Sequence, residues 1–194
     1  MDITSYKEAV KRGENVEFTL SKKKLLLGTF ILIGVVIGSA IMTYTGDIPL
    51  LIGILVCIIC GFFAQIMGRA LLRRPTPPVI YVNKDLVGIF LAPISKNSAF
   101  LPIKWNDILD MEIEVIKHGK GSRTYYLVLK CTDSAIQDIL NQIKFNSGGM
   151  FRIYKLRDNF IRLQIESLID IPLSDLLTLM KEIHKEATAT PHNY

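Results

Sequence analysis

A chain of 194 residues that is 49% hydrophobic, with a mean hydropathy of +0.32, is more apolar than an ordinary soluble domain, yet 21% of it is charged. The two figures together imply a chain divided into an apolar part and a normal one. The net charge of +5 and pI of 9.1 do not argue for nucleic acid, because residues 75–194 are almost neutral, with 14 basic against 13 acidic residues.

Residues 1–24 read as a basic segment ending in Lys22, Lys23 and Lys24. Leu25 to Tyr44 then runs about 20 residues without a charge, the length a helix needs to cross a hydrocarbon core. After a short turn containing Gly46, Asp47 and Pro49, a second apolar run extends from Leu50 to Leu72, broken only by Gln65 and Arg69 near its end. In a bilayer each run must be helical to satisfy its own backbone, so residues 25–72 are expected to form a transmembrane hairpin with spans 25–44 and 50–72. Lys22 to Lys24 precede the first span, and Arg69, Arg73 and Arg74 close the second, while the turn carries only Asp47. The positive-inside rule places both termini in the cytoplasm and the tight turn outside. A cleaved signal peptide is disfavoured by the length of the apolar run, the polar residues before it and the second span directly after it. The same basic flanks, Lys22, Lys23, Lys24, Arg73 and Arg74, are placed to meet anionic lipid headgroups.

Small residues recur in both spans, as Gly34 and Gly38 in the first and as Gly53, Cys57 and Gly61 in the second. Four-residue spacing of small side chains lets helix backbones approach closely. Two readings stay open: the two helices pack against each other, or a partner helix or second copy docks on the stripe. Cys57 and Cys60 spell C-x-x-C, but within an apolar run and without nearby His, Asp or Glu they read as small fillers; with Cys131 on the cytosolic side, no disulfide is expected.

The prolines Pro75, Pro77 and Pro78 make residues 73–78 a stiff linker. Beyond it the hydrophobic period changes from 3.6 to 2. Strands are expected at 79–82, 86–91, 99–105, 107–116, 124–130, 150–156 and 160–168, with an amphipathic helix at 134–145 and a second from a Ser174 N-cap onward. In that last helix Leu176, Leu177, Met180, Ile183 and Ala187 form the apolar stripe. Residues 79–187 thus hold about seven strands and a closing helix, enough to bury one core, and 188–194 is a tail.

That order, seven strands and a C-terminal helix, resembles the pleckstrin-homology-like (PH-like) domains. Ile103-Lys104-Trp105-Asn106-Asp107-Ile108 is similar to the Ile-x-Trp-x-Asp-Ile stretch of many bacterial PH-like domains, and Ile171 to Leu177 resembles the start of their closing helix. The layout as a whole resembles small bacterial membrane proteins with a two-helix hairpin and a cytoplasmic PH-like domain. The resemblance implies an α+β membrane protein whose antiparallel barrel is closed by the last helix; the helix at 134–145 departs from the pattern. Trp105 is expected to end a strand and plug the barrel, with a lipid-interface position as the rival.

Catalytic signals are sparse. His118, His184 and His192 fall in a turn, a helix and the tail, without metal-ligand spacing. Asp110, Glu112 and Glu114 read as a solvated strand face, and His118 to Ser122 lacks the spacing of a phosphate loop. No enzyme, cofactor, metal or small-molecule substrate is expected. Binding signals are clearer: Lys117, Lys120 and Arg123 cluster at one hairpin, and Arg152, Lys155, Arg157 and Arg162 at another, and they read either as a solvated face interleaved with acids or as contacts to an anionic leaflet. Two functions follow. One is a non-catalytic membrane adaptor whose PH-like domain binds a protein partner or itself. The other is a membrane immunity protein that neutralises a membrane-targeting toxin by direct binding.

Overall fold

The computed structural model describes residues 3–72, 76, 78–90, 100–145, 154–157 and 159–189. Arg73, Arg74, most of the proline linker, Arg152, the start of the strand expected at 150 and His192 lie outside them. The chain forms two compact units, a discontinuous one of Met1–Thr19 with Pro78–Tyr194, and Leu20–Pro77. It is an α+β protein in which two apolar helices precede antiparallel sheets.

α1 (Ile3–Lys11) belongs to the discontinuous unit, and Leu20–Pro77 contains α2 (Lys22–Thr45) and α3 (Leu50–Leu72). Ser21 caps α2, its Oγ accepting from the Lys24 amide at 3.1 Å. Gly46, at φ 85°, ends it in the left-handed conformation that glycine adopts at least cost. Both helices are long and apolar enough to cross a membrane, and only 6% of each apolar window is buried. Leu27, Phe30, Leu51 and Ile58 are more than half exposed. Each such side chain left in water forgoes roughly 1.5–3 kcal/mol of burial. A surface built of them loses more than the 5–15 kcal/mol that holds a typical domain together.

The other unit begins with α1 (Ile3–Lys11) and β1 (Val16–Thr19). The N-terminal segment, read from the sequence as a basic flank, is therefore part of the folded domain. β1 pairs antiparallel with β2 (Pro78–Val82), β2 with β3 (Leu86–Phe90), and β3 with β4 (Phe100–Lys104). The register aligns two apolar rows on one face: Val16, Val82, Val87 and Ile103, then Phe18, Ile80, Ile89 and Leu101. All eight are buried. On the reverse face Tyr81 and Phe100 stack at 5.1 Å across Gly88, where a Cβ would overlap both rings. Burial raises the Tyr81 hydroxyl above its ordinary pKa.

The second sheet runs β5-β6-β8-β7, with β5 (Ile108–Lys117), β6 (Arg123–Cys131), β7 (Tyr154–Arg157) and β8 (Phe160–Leu163). Met111, Leu129 and Ile161 form one buried row across it. The expected single closed barrel is not formed: the strands divide into two four-stranded sheets, and among the described residues no ladder joins β4 to β5. A 3₁₀ turn at Trp105–Asp107 interrupts the chain there, and a bulge at the start of β5 shifts its register against β6. The expected strand at 160–168 stops at Leu163, although Ile165 and Ile169 remain buried. α4 (Asp133–Phe145) inserts between β6 and β7 and buries Ala135, Ile136 and Ile139.

α5 (Leu173–Ala189) starts earlier than the Ser174 cap implied. The Pro172 carbonyl accepts from the amides of Asp175 and Leu176, which puts Ser174 inside the first turn. Its buried face is Leu173, Leu176, Leu179, Met180 and Ile183, while Leu177 and Ala187 are only half-buried. α1 lies against α5 through Lys7 to Glu182 at 2.7 Å and Lys11 to Glu186 at 3.1 Å. These pairs are exposed and worth little individually.

Thr19 and Pro78 are register partners at the end of the β1–β2 ladder, so the whole of Leu20–Pro77 occupies the place of a hairpin turn. Replacing residues 20–77 by Asn-Gly, a two-residue hairpin connection, is expected to give a water-soluble domain. Its Trp105 emission should match that of the full chain. An unfolded or aggregated product would show that the two units do not fold independently.

Candidate functional site

At one end of the discontinuous unit, β2 and β3 are joined by Asn83, Lys84 and Asp85. The Asn83 Oδ1 accepts from the amides of Asp85 and Leu86, both at 2.9 Å, which closes the turn. The same residue's carbonyl accepts from Trp105 Nε1 at 2.9 Å, and its Nδ2 donates to Asn15 Oδ1 at 3.1 Å. Trp105 is 1% exposed, so it is a core side chain with its one polar atom satisfied. The His184 ring lies 6.1 Å from it and hydrogen-bonds the Ile108 carbonyl through Nε2 at 2.9 Å. His184 is thereby a strut between α5 and β5.

Beside this corner opens a cleft of about 660 Å³. Val10, Leu86, Trp105 and Ile183 form its apolar lining, and Lys84 and Lys104 stand at its edge with Asp85. It holds no pairing of a nucleophile with a base. Among the described residues, no group of three His, Cys, Asp or Glu side chains is placed to hold a metal ion. Of the three carboxylates on β5, Glu114 is engaged by Arg162 on β8, Nε to Oε2 at 2.5 Å, an ion pair that bridges over the central strand β6. This pair also removes Arg162 from the basic cluster read in the sequence. Lys155 and Arg157 lie in β7, but their side chains fall outside the described residues.

Among the expected headgroup contacts, Lys22, Lys23 and Lys24 occupy the exposed first turn of α2. Lys117 and Arg123 become direct partners across β5 and β6, both exposed. Lys120 belongs to the 3₁₀ turn Gly119–Gly121 between them; its side chain is outside the described residues.

The expected small-residue stripe separates into two groups. Gly53 is buried where α3 meets α2, and a Cβ there would overlap the Thr43 hydroxyl. Cys57 Sγ lies 3.6 Å from the Val36 carbonyl and Ser39 Oγ 3.5 Å from the Gly53 carbonyl, so both polar groups are used within the helix pair. Gly34, Gly38 and Gly61 have open space at the Cβ position. At 100° per residue, Gly34 and Gly38 each lie about 160° around α2 from Val36, on the face turned away from α3. Their spacing did not distinguish the two faces. The Thr43 and Ser39 hydroxyls that mark the helix contact were the available signal.

Cys131 is fully buried, and burial, with the charge of Asp107 nearby, pushes its thiol up to about 12. No protein-family model matches the chain, and no curated protein or solved structure matches it.

Two outcomes follow from this geometry. Gly53→Ile should loosen the helix pair by about 1–3 kcal/mol and lower the melting temperature of the detergent-solubilised monomer, whereas Gly34→Leu with Gly38→Leu should leave that of the monomer unchanged. The native Cys131 thiol retains its proton at pH values where an unfolded cysteine, with a pKa of about 8.5, has lost it. This contribution is fully present below that value and is lost as pH rises toward 12, amounting to about 2 kcal/mol near pH 10. With Cys57→Ala and Cys60→Ala in place, maleimide should label Cys131 only after unfolding. Cys131→Ala should flatten the alkaline loss of stability; an unchanged slope would exclude the thiol as its source.

Proposed function

We propose that the chain is a non-catalytic integral protein of a bacterial inner membrane, anchored by α2 and α3, whose cytoplasmic PH-like domain binds a protein partner or a second copy in an adaptor or regulatory role. The observation that carries this reading is the place of the apolar helices in the fold. They are inserted between two strands that pair with each other, Val16 with Val82 through Thr19 with Pro78. Because β1 and β2 belong to one ladder, the outer ends of α2 and α3 must emerge on the same side of any bilayer the helices cross. That supports two spans, independently of charge counting. Cleavage of α2 as a signal sequence would also detach β1 from its sheet.

Charge supports the cytoplasmic side. Three lysines in the first turn of α2 oppose the helix dipole, at roughly 0.3–1 kcal/mol each, so helix stability does not explain them. A cytoplasmic membrane boundary does. The PH-like assignment is supported by two antiparallel sheets followed by a helix that packs beside Trp105. The adaptor role is supported by the open face of α2 at Gly34 and Gly38, which suits close approach of a further helix.

The test is affinity purification of the tagged full chain from membranes in mild detergent, with mass determination of the complex. One stoichiometric partner, or a defined oligomer, is expected, and it should be lost in the Gly34→Leu/Gly38→Leu variant. A partner encoded as a toxin would turn the role to immunity. A monomer recovered alone would overturn the reading.

A further inference from the structure

β5 and β6 pair over their whole length, from Ile108 with Cys131 to Lys117 with Arg123, but β8 covers β6 only from Leu127 to Lys130. The outer part of the hairpin, 114–117 with 123–126, is therefore a two-stranded arm among the described residues, with Tyr126 buried at its base. β5 begins at the corner held by Trp105 and His184. Its ten residues carry the tip about 33 Å from there.

The arm is built against its own stability. Lys117 and Arg123 are directly opposed across the ladder, an arrangement that is unfavourable for like charges. Neither makes an ion pair among the described residues. From Val115 through Thr132 there is no carboxylate, while Lys117, Lys120, Arg123 and Lys130 are all cationic. Glu112 and Glu114 project from the opposite face of β5, and Glu114 is held by Arg162. On the face of Lys117 and Arg123, the next cross-strand pair is Val115 with Tyr125. Val115 is 42% exposed and Tyr125 half-exposed. The tip is nonetheless well fixed: the His118 amide donates to the Ser122 carbonyl at 2.8 Å, the His118 ring meets Thr124 Oγ1 at 2.9 Å, and Gly121 takes φ 81°.

We propose that this arm docks on the anionic surface of the bilayer, with Lys117, Arg123 and the turn at Lys120 among the phosphates and with Tyr125 and Val115 behind them at the headgroup boundary. An aromatic and an aliphatic side chain set below a ring of cations suit a surface that is charged outside and apolar within. A dissolved acidic partner would use the cations and leave Val115 without a role. The proposal rests on the membrane anchorage inferred above.

The test uses the full chain with Cys57→Ala, Cys60→Ala and Ser122→Cys, labelled at position 122 with a fluorophore and reconstituted in vesicles carrying a headgroup nitroxide quencher. Quenching is expected in phosphatidylglycerol–phosphatidylethanolamine vesicles and should fall by about ten-fold or more with Lys117→Glu/Arg123→Glu or in phosphatidylcholine vesicles. Lys117→Gln/Arg123→Gln, which removes the like-charge pair without new charge, should show the same loss while raising thermal stability; this guards against misfolding. Equal quenching in both lipids, or quenching indifferent to these substitutions, overturns the proposal. So does release of the probe from the surface by inorganic phosphate in the presence of phosphatidylcholine alone. Failure of the chain to co-float with any vesicle overturns the anchorage itself and is read separately.

Discussion

The pairing of β1 with β2 is the contact on which the remaining architecture depends. It is short, from Val16 opposite Val82 to Thr19 opposite Pro78, but its partners are separated by the entire apolar hairpin. It draws residues 3–19 into the folded domain and supplies the edge of the first sheet. Closing so long an excursion costs only slightly more entropy than closing one half its length, because that cost grows with the logarithm of loop length. A helical hairpin whose own ends return together lowers the cost further. Four residues of ladder, with Val16 and Phe18 completing the two apolar rows, are then sufficient.

A second centre, Asn83, ties three parts of the domain together through one side chain and its carbonyl. It shapes the β2–β3 turn, receives the Trp105 indole and reaches Asn15. Because the indole N–H is buried, losing this acceptor would leave a polar group unsatisfied in the core, at a cost of about 1–3 kcal/mol. The corner is held together for that reason. The open face of α2 and the β5–β6 arm are both regions where internal packing is thin.

The sequence was informative wherever the signal was local. Seven strands, the amphipathic helix at 134–145 and the two apolar helices are all present, with ends displaced by a few residues. What could not be read were relations between distant segments. β1 has only Val16 and Phe18 on its buried face among charged neighbours, and nothing local shows that its partner begins at Pro78. The placing of β8 beside β6, with β7 at the edge, is marked by no residue pattern in the strands. The small-residue stripe was legible as spacing, but helical spacing does not say which face is covered; Gly53 turns toward Thr43 while Gly34 and Gly38 do not. Lys117 and Arg123 were visible as a cluster, yet their direct opposition is a matter of register. Glu114 looked solvated because its partner, Arg162, lies two strands away.

The insertion of α2 and α3 into a strand pair also orders the biogenesis of the chain. β1 leaves the ribosome first but has no partner until about 60 further residues have been made, on the order of several seconds at ordinary elongation rates. Throughout that interval its two apolar side chains and its unpaired backbone are exposed. If the helices span the membrane as proposed above, the first sheet can close only when the chain returns to the compartment it left, so that a single crossing is ruled out. A chain with one helix left unthreaded, or threaded alone, would hold β1 and β2 on opposite sides of the membrane. Closure of the first sheet would therefore report that the two helices were handled alike. Chains that fail would carry a bare strand edge and an unfilled core, the features by which quality-control proteases select their substrates.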